Sequence, residues 1–155
     1  MKTSAEDLWN QMEQAHQTFR RLVGEFKSVD KATRLRLIQE GCKNRPLTLA
    51  ILEYLVDDEL KDLLPFLMSH VRSVHGYIGH FRRVILSLPK EWLLEHIEAV
   101  AEPLLQAGDD QEYRRFLELY IQIDPQLTKR LAQRALASRD PNIQEAGQDF
   151  IEKLD

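Results

Sequence analysis

The segment FRRLVGEF at 19–26 returns as FRRVILSL at 81–88 and as YRRFLELY at 113–120. Between and after them, ILEYLVDD at 51–58 and IQEAGQDF at 143–150 keep the first and fourth apolar positions without the arginines. The five anchors, Phe19, Ile51, Phe81, Tyr113 and Ile143, stand 32, 30, 32 and 30 residues apart. A unit of that length holds two helices and a turn, and such a pair cannot bury its apolar face alone. It must stack on its neighbours, which is the logic of an α-solenoid.

Helical periodicity runs through the chain, with no alternating strand and no Asn-Gly hairpin signal. The fold class expected is all-α. The tetrad TSAE offers a Thr-x-x-Glu capping box at Thr3 or Ser4, opening one long helix through Leu8, Met12, Phe19, Val23 and Phe26. A second helix starts near Asp30 and stops around Gly41; a third follows Asn44, with Pro46 in its first turn and Ile51, Tyr54 and Leu55 as its stripe. The fourth begins near Asp57 and meets Pro65, which kinks or splits it. The fifth covers about His75 to Leu88, Pro89 opens a sixth, and AGDD at 107–110 ends that one. A seventh carries Tyr113, Phe116, Leu117 and Tyr120, and Asp124-Pro125 and Asp140-Pro141 start the last two, Asp as cap and Pro at the first helical position. That makes nine helices in one domain spanning 1–155, with 1–28 as a capping helix and 30–155 as helix pairs. At 43% hydrophobic content, the 155 residues can bury a core without disulfides or a metal.

The last two units resemble HEAT repeats. In that family the second helix of a pair opens with Asp, an apolar residue three positions on, and then Arg. DQEYRRF supplies Asp110, Tyr113 and Arg114, and DPNIQEA supplies Asp140 and Ile143 with Gln144 in place of the arginine. Upstream, Arg82 keeps the Arg position while Ile78 replaces the Asp, and in the unit before it Leu52 departs from the pattern at the position after Ile51. The resemblance implies a right-handed solenoid of about four antiparallel helix pairs behind the capping helix, and implies no activity.

At about 100° per residue, Leu22, Val23 and Phe26 lie close to Phe19 on the core arc. Arg20 then falls at a helix boundary and Arg21 opposite the core. The same count makes Arg82 and Arg114 boundary residues, able to pair with an Asp or a carbonyl of the next repeat, as the matching arginine of HEAT repeats does. Arg21, Arg83 and Arg115 are expected on the concave face with Gln17, Gly79, Leu86, Gln111 and Glu118. That mixed surface suits a protein or peptide better than a phosphate backbone, and Glu53 and Glu145 interrupt its basic line.

The formal net charge of −4 speaks against bulk electrostatic binding of nucleic acid. Locally, 19–45 carries eight basic residues against three acidic, whereas EYLVDDELKD carries five acids and one lysine. His70, His75 and His80 recur at intervals of five, a spacing that turns successive side chains about 140° apart and fails a helical zinc site. Cys42 has no neighbouring base and reads as a spectator thiol, while Trp9 and Trp92 read as packing residues. No phosphate loop, nucleophile elbow or Cys-x-x-Cys pair is present. No cofactor or metal is expected. With a lone cysteine, no apolar leader and no membrane-length apolar run, a cytoplasmic, non-membrane protein is expected.

These readings point to a non-enzymatic interaction module or scaffold that binds another protein on its concave face through Arg21, Arg83, Leu86, Arg115 and Glu118. The alternative is a nucleic-acid or phosphate-binding domain using Arg21, Arg83 and Arg115. A third is a small hydrolase or lyase with a pocket near the histidines.

Overall fold

The helix starts follow the capping chemistry written into the sequence. A computed structural model describes residues 3–72 and 76–154, and every regular element among them is helical: ten α-helices and one 3-10 turn, Gly41–Lys43. Helix α1 (Ala5–Lys27) opens on a reciprocal box in which Ser4 Oγ accepts the Asp7 N–H at 3.0 Å and the Asp7 carboxylate accepts the Ser4 N–H at 3.2 Å. That is one residue later than a Thr3–Glu6 box, since Ser4 and Asp7 meet the same rule. Asp30 caps α2 (Lys31–Glu40) and Asn44 caps α3 (Arg45–Leu52), which has Pro46 in its first turn.

Pro65 splits the fourth expected helix into α4 (Asp57–Asp62) and α5 (Leu64–Val71), where it sits in the first turn and gives up no helical hydrogen bond. The count among the described residues is therefore ten, not nine. Next, α6 (Ile78–Leu86) begins later than the sequence suggests, and His75 lies outside the described residues. Pro89 caps α7 (Lys90–Gln106), which also accommodates Pro103 without breaking. Asp109 and Glu112 form a second capping box for α8 (Asp110–Ile123). Asp124 accepts the Gln126 and Leu127 N–H groups to start α9 (Pro125–Leu136), and Asp140 accepts the Asn142 N–H at 2.8 Å to start α10 (Pro141–Leu154).

The helices gather into two compact units, Met1–Tyr54 and Leu55–Asp155. In the second, α5 packs on α6 and α7, α8 on α6, α7 and α9, and α10 on α8 and α9. A helix is thus repeatedly in contact with the one two places on. The core holds Leu67, Phe81, Ile85, Ile97, Phe116 and Leu117, all fully buried. Small residues let α10 settle closely on α9: a Cβ on Gly147 would stand 2.6 Å from the Ala132 carbonyl oxygen and 2.9 Å from the Ala135 Cβ. Glycine is required there by space, not by backbone conformation.

The first unit is built more sparsely. Its buried residues among those described are Val23, Ile38, Thr48 and Leu52. Tyr54 meets Phe19 edge-on at 6.2 Å between ring centroids and lies under the Lys27 ammonium at 5.9 Å. Arg34 of α2 donates to the Lys27 and Val29 carbonyls and so ties down the end of α1. Of the expected core arc, Val23 is buried and Phe19 and Phe26 are half-buried, but Leu22 is 49% exposed. Trp9 and Met12, expected to pack, are 61% and 57% exposed.

Candidate functional site

The arginine pairs sort by the partners their helices bring to them. Arg82 reaches from α6 to α8, donating to Glu118 at 2.5 Å and to the Arg115 carbonyl at 3.3 Å. Arg114 reaches from α8 to α10 and donates to Asp149 at 2.6 Å. The helices between them repeat the theme: from α9, Arg130 forks onto Glu98 at 3.0 and 2.9 Å, and Arg134 forks onto Glu102, both on α7. Each link spans 32 to 36 residues, close to the sequence repeat. These bonds join helices two places apart in the chain: α6 to α8, α8 to α10 and α7 to α9. The Arg134 guanidinium holds the Glu102 carboxyl below the usual carboxylate range, aided by Gln106. Under this lattice the Tyr120 hydroxyl is buried with no hydrogen-bond partner among the described residues, and burial pushes its pKa up.

The expected concave-face residues fare differently. Arg83 is exposed and donates to His80, and Leu86 is half-buried. Arg115 donates to Glu118 at 3.0 Å, so Glu118 accepts from both Arg82 and Arg115. Arg82 and Glu118 are brought together with Arg115; the Arg114 and Arg115 side chains are equally exposed at 23%, because the Glu118 contact draws Arg115 down onto its helix. Arg21, in the first unit, is exposed and paired with Glu25 one turn on.

Of the three histidines, His75 lies outside the described residues and His80 accepts from Arg83. His70 Nδ1 engages the Phe66 carbonyl at 2.9 Å, and its ring stacks on Phe81 at 4.6 Å, a packing environment. Among the described residues no group of three His, Cys, Asp or Glu side chains could hold a metal. The Cys42 side chain lies outside the described residues. Trp92 stacks on His96 at 4.3 Å with Lys61 above its face.

A further surface, not among the expected site residues apart from its neighbour Arg21, lies on α1. Phe19, Leu22, Val23, Phe26, Leu47 and Ile51 line an open groove of about 450 Å³ between α1 and α3. Leu22 and Leu47 are exposed on its walls, and Leu8 and Met12 continue the apolar line toward the start of α1, also exposed. Spacing could have revealed it. Ala5, Leu8, Met12, Ala15, Phe19, Leu22 and Phe26 alternate steps of three and four, an unbroken a/d heptad series. Steps of three and four are the spacing by which helices pack knobs-into-holes.

Compared with family models, curated proteins and solved structures, the chain gives no match. What its own residues define is an all-α protein, and no helix among the described residues is long and apolar enough to cross a membrane.

Proposed function

We propose that the chain is a non-enzymatic protein-interaction module. It is a short HEAT-like, right-handed solenoid of helix pairs carried behind the long first helix. The links from Arg82 to Glu118 and from Arg114 to Asp149 support the stacking of pairs, since they fall at the repeat spacing. One observation carries the interaction reading: the heptad seam of α1, with the groove beside it, leaves Leu8, Met12, Leu22 and Leu47 in water. Contiguous apolar surface of this kind marks a binding face. Its chemistry selects another helix, because a/d spacing is complementary only to a second helix.

A second surface, Arg83, Leu86, Arg115 and Glu118 on α6 and α8, keeps the mixed character that suits a peptide. The nucleic-acid alternative draws less support, because Arg21 and Arg115 already donate to Glu25 and Glu118. A photo-crosslinking amino acid in place of Leu22, in the full chain expressed in its own cells, tests the proposal. Expected are discrete protein adducts that disappear when Leu47→Glu is added. No protein adduct from Leu22 or from Arg83, together with tight retention on nucleic acid that falls steeply with salt, overturns it.

A further inference from the structure

We infer that the occupant of the α1 seam is the α1 helix of a second copy of this chain, lying antiparallel. The inference rests on the interaction reading above and names its partner. Two properties of α1 carry it, one of register and one of charge.

The register closes on itself. In an antiparallel pair of helices an a position meets a d position across the seam. Laid antiparallel about residue 17, Leu8 meets Phe26 of the other copy, Met12 meets Leu22, and Ala15 meets Phe19, and each layer recurs on the far side of the two-fold axis. The isologous contact leaves no unmatched layer between residues 8 and 26. Small faces large at the centre, where Ala15 lies opposite Phe19. The exposed half of one seam, Leu8 and Met12, falls on the half whose groove is walled by Leu22, Phe26 and Leu47. Trp9, at a position beside the seam, widens it on one side and is 61% exposed.

Charge selects the direction. The first half of α1 carries Glu6, Asp7 and Glu13, and the second carries Arg20, Arg21 and Lys27 against Glu25. Antiparallel packing sets the acidic half of each copy alongside the basic half of the other. Parallel packing would set like against like along the whole length, which is destabilising. Of the positions flanking the seam, Gln11, His16 and Thr18 carry no fixed charge, and Glu25, which falls beside Gln11 of the other copy in this register, meets no second acid there. The intrahelical partners of the flanks, Trp9 with Glu13 and Arg21 with Glu25, are at the exposed surface and free to exchange for ones across the pair.

Sedimentation of the full chain from 1 to about 100 μM tests the inference. Expected is a dimer that Met12→Glu converts to monomer with its helical spectrum kept apart from fraying at the start of α1, since Met12 is exposed and its loss removes no core contact. Orientation is read separately, in a Cys42→Ser background. Mixing Met12→Cys chains with Leu22→Cys chains should give the mixed disulfide in large excess over either like-with-like product. A wild-type chain that stays monomeric at 100 μM overturns the second-copy inference, as does a dimer indifferent to Met12→Glu. Predominant Met12–Met12 bridging overturns the antiparallel direction. In any of these cases, a distinct protein crosslinked from Leu22 leaves the interaction reading standing, so the two failures are distinguishable.

Discussion

Helices α1 and α8 begin alike, each with a capping box, and end in opposite circumstances. The 14 residues of α8 include six that are buried, whereas the 23 of α1 include one, Val23. Both are strongly amphipathic in sequence. The difference lies in what covers the apolar face: α8 is covered by α6, α7, α9 and α10, and the first half of α1 leaves its face in water. Most helical stability in a protein comes from packing an amphipathic face, so an apolar face without cover is both a cost and an opportunity. In α8 amphipathicity builds the core, and in α1 it leaves Leu8, Met12 and Leu22 at the surface.

The comparison is sharpest in the core. Phe116→Ala in α8 should cost about 3–5 kcal/mol, as truncating a fully buried aromatic does, whereas Leu8→Ala in α1 should change stability by less than about 0.5 kcal/mol in the dissociated chain. Urea unfolding of the full chain, followed by helix content, reads both. A substantial loss from Leu8→Ala in a chain held monomeric by Met12→Glu would break the distinction between the helices.

Glycine gives the next contrast. Gly147→Ala should destabilise by about 1–3 kcal/mol, because the new methyl meets the α9 backbone. Gly24→Ala meets nothing within 4 Å and should stabilise by up to about 1 kcal/mol through helix propensity. Opposite signs in the same thermal melt are expected, and matching signs would contradict the packing assigned to α9 and α10.

A smaller effect separates neighbouring arginines. Arg82, 16% exposed and bound to Glu118, should cost about 1–2 kcal/mol on change to Ala; Arg83, exposed beside His80, should cost within about 0.5 kcal/mol. Equal losses would remove the role of the Arg82 link in joining α6 to α8.

The smallest effect is one of pH. Arg134 lowers the Glu102 pKa, and the Leu127 N–H, followed by Lys90, lowers that of Asp124. A carboxyl whose folded pKa is depressed contributes stability that is present above its unfolded value, about 4, and is lost as pH falls through the folded value. The second unit should therefore lose stability below about pH 4, and Glu102→Gln should flatten part of that acid limb. Asp30 in the first unit, lowered by the Thr33 N–H, gives a parallel loss. An acid limb unchanged by Glu102→Gln would show that the Arg134 pair contributes nothing to folding.

Much of the local structure was legible because capping is short-range chemistry. Asp30, Asn44, Asp124 and Asp140 each mark a helix start within a few residues of the backbone they satisfy, and Pro65 and Pro89 punctuate as their rings demand. The angular count separated Arg82 from Arg83 but could not supply Glu118 and Asp149, some 35 residues away. It therefore did not anticipate that Arg115 would be drawn onto Glu118. Periodicity also says that a face is apolar without saying which chain covers it. For that reason Trp9, Met12 and Leu22 read as core, since in sequence a heptad seam and an ordinarily buried face look alike.

Amide hydrogen exchange, comparing α1 with α8 in the full chain, bears most directly on the claim that α1 is held by a partner. In the Met12→Glu chain the amides of the first half of α1 should exchange close to the rate of local fraying, while those of α8 stay protected up to global unfolding. In the concentrated wild-type chain α1 should gain protection. Amides of α1 as slow in Met12→Glu as those of α8 would contradict the account, since the helix would then be stabilised without any second helix on its seam.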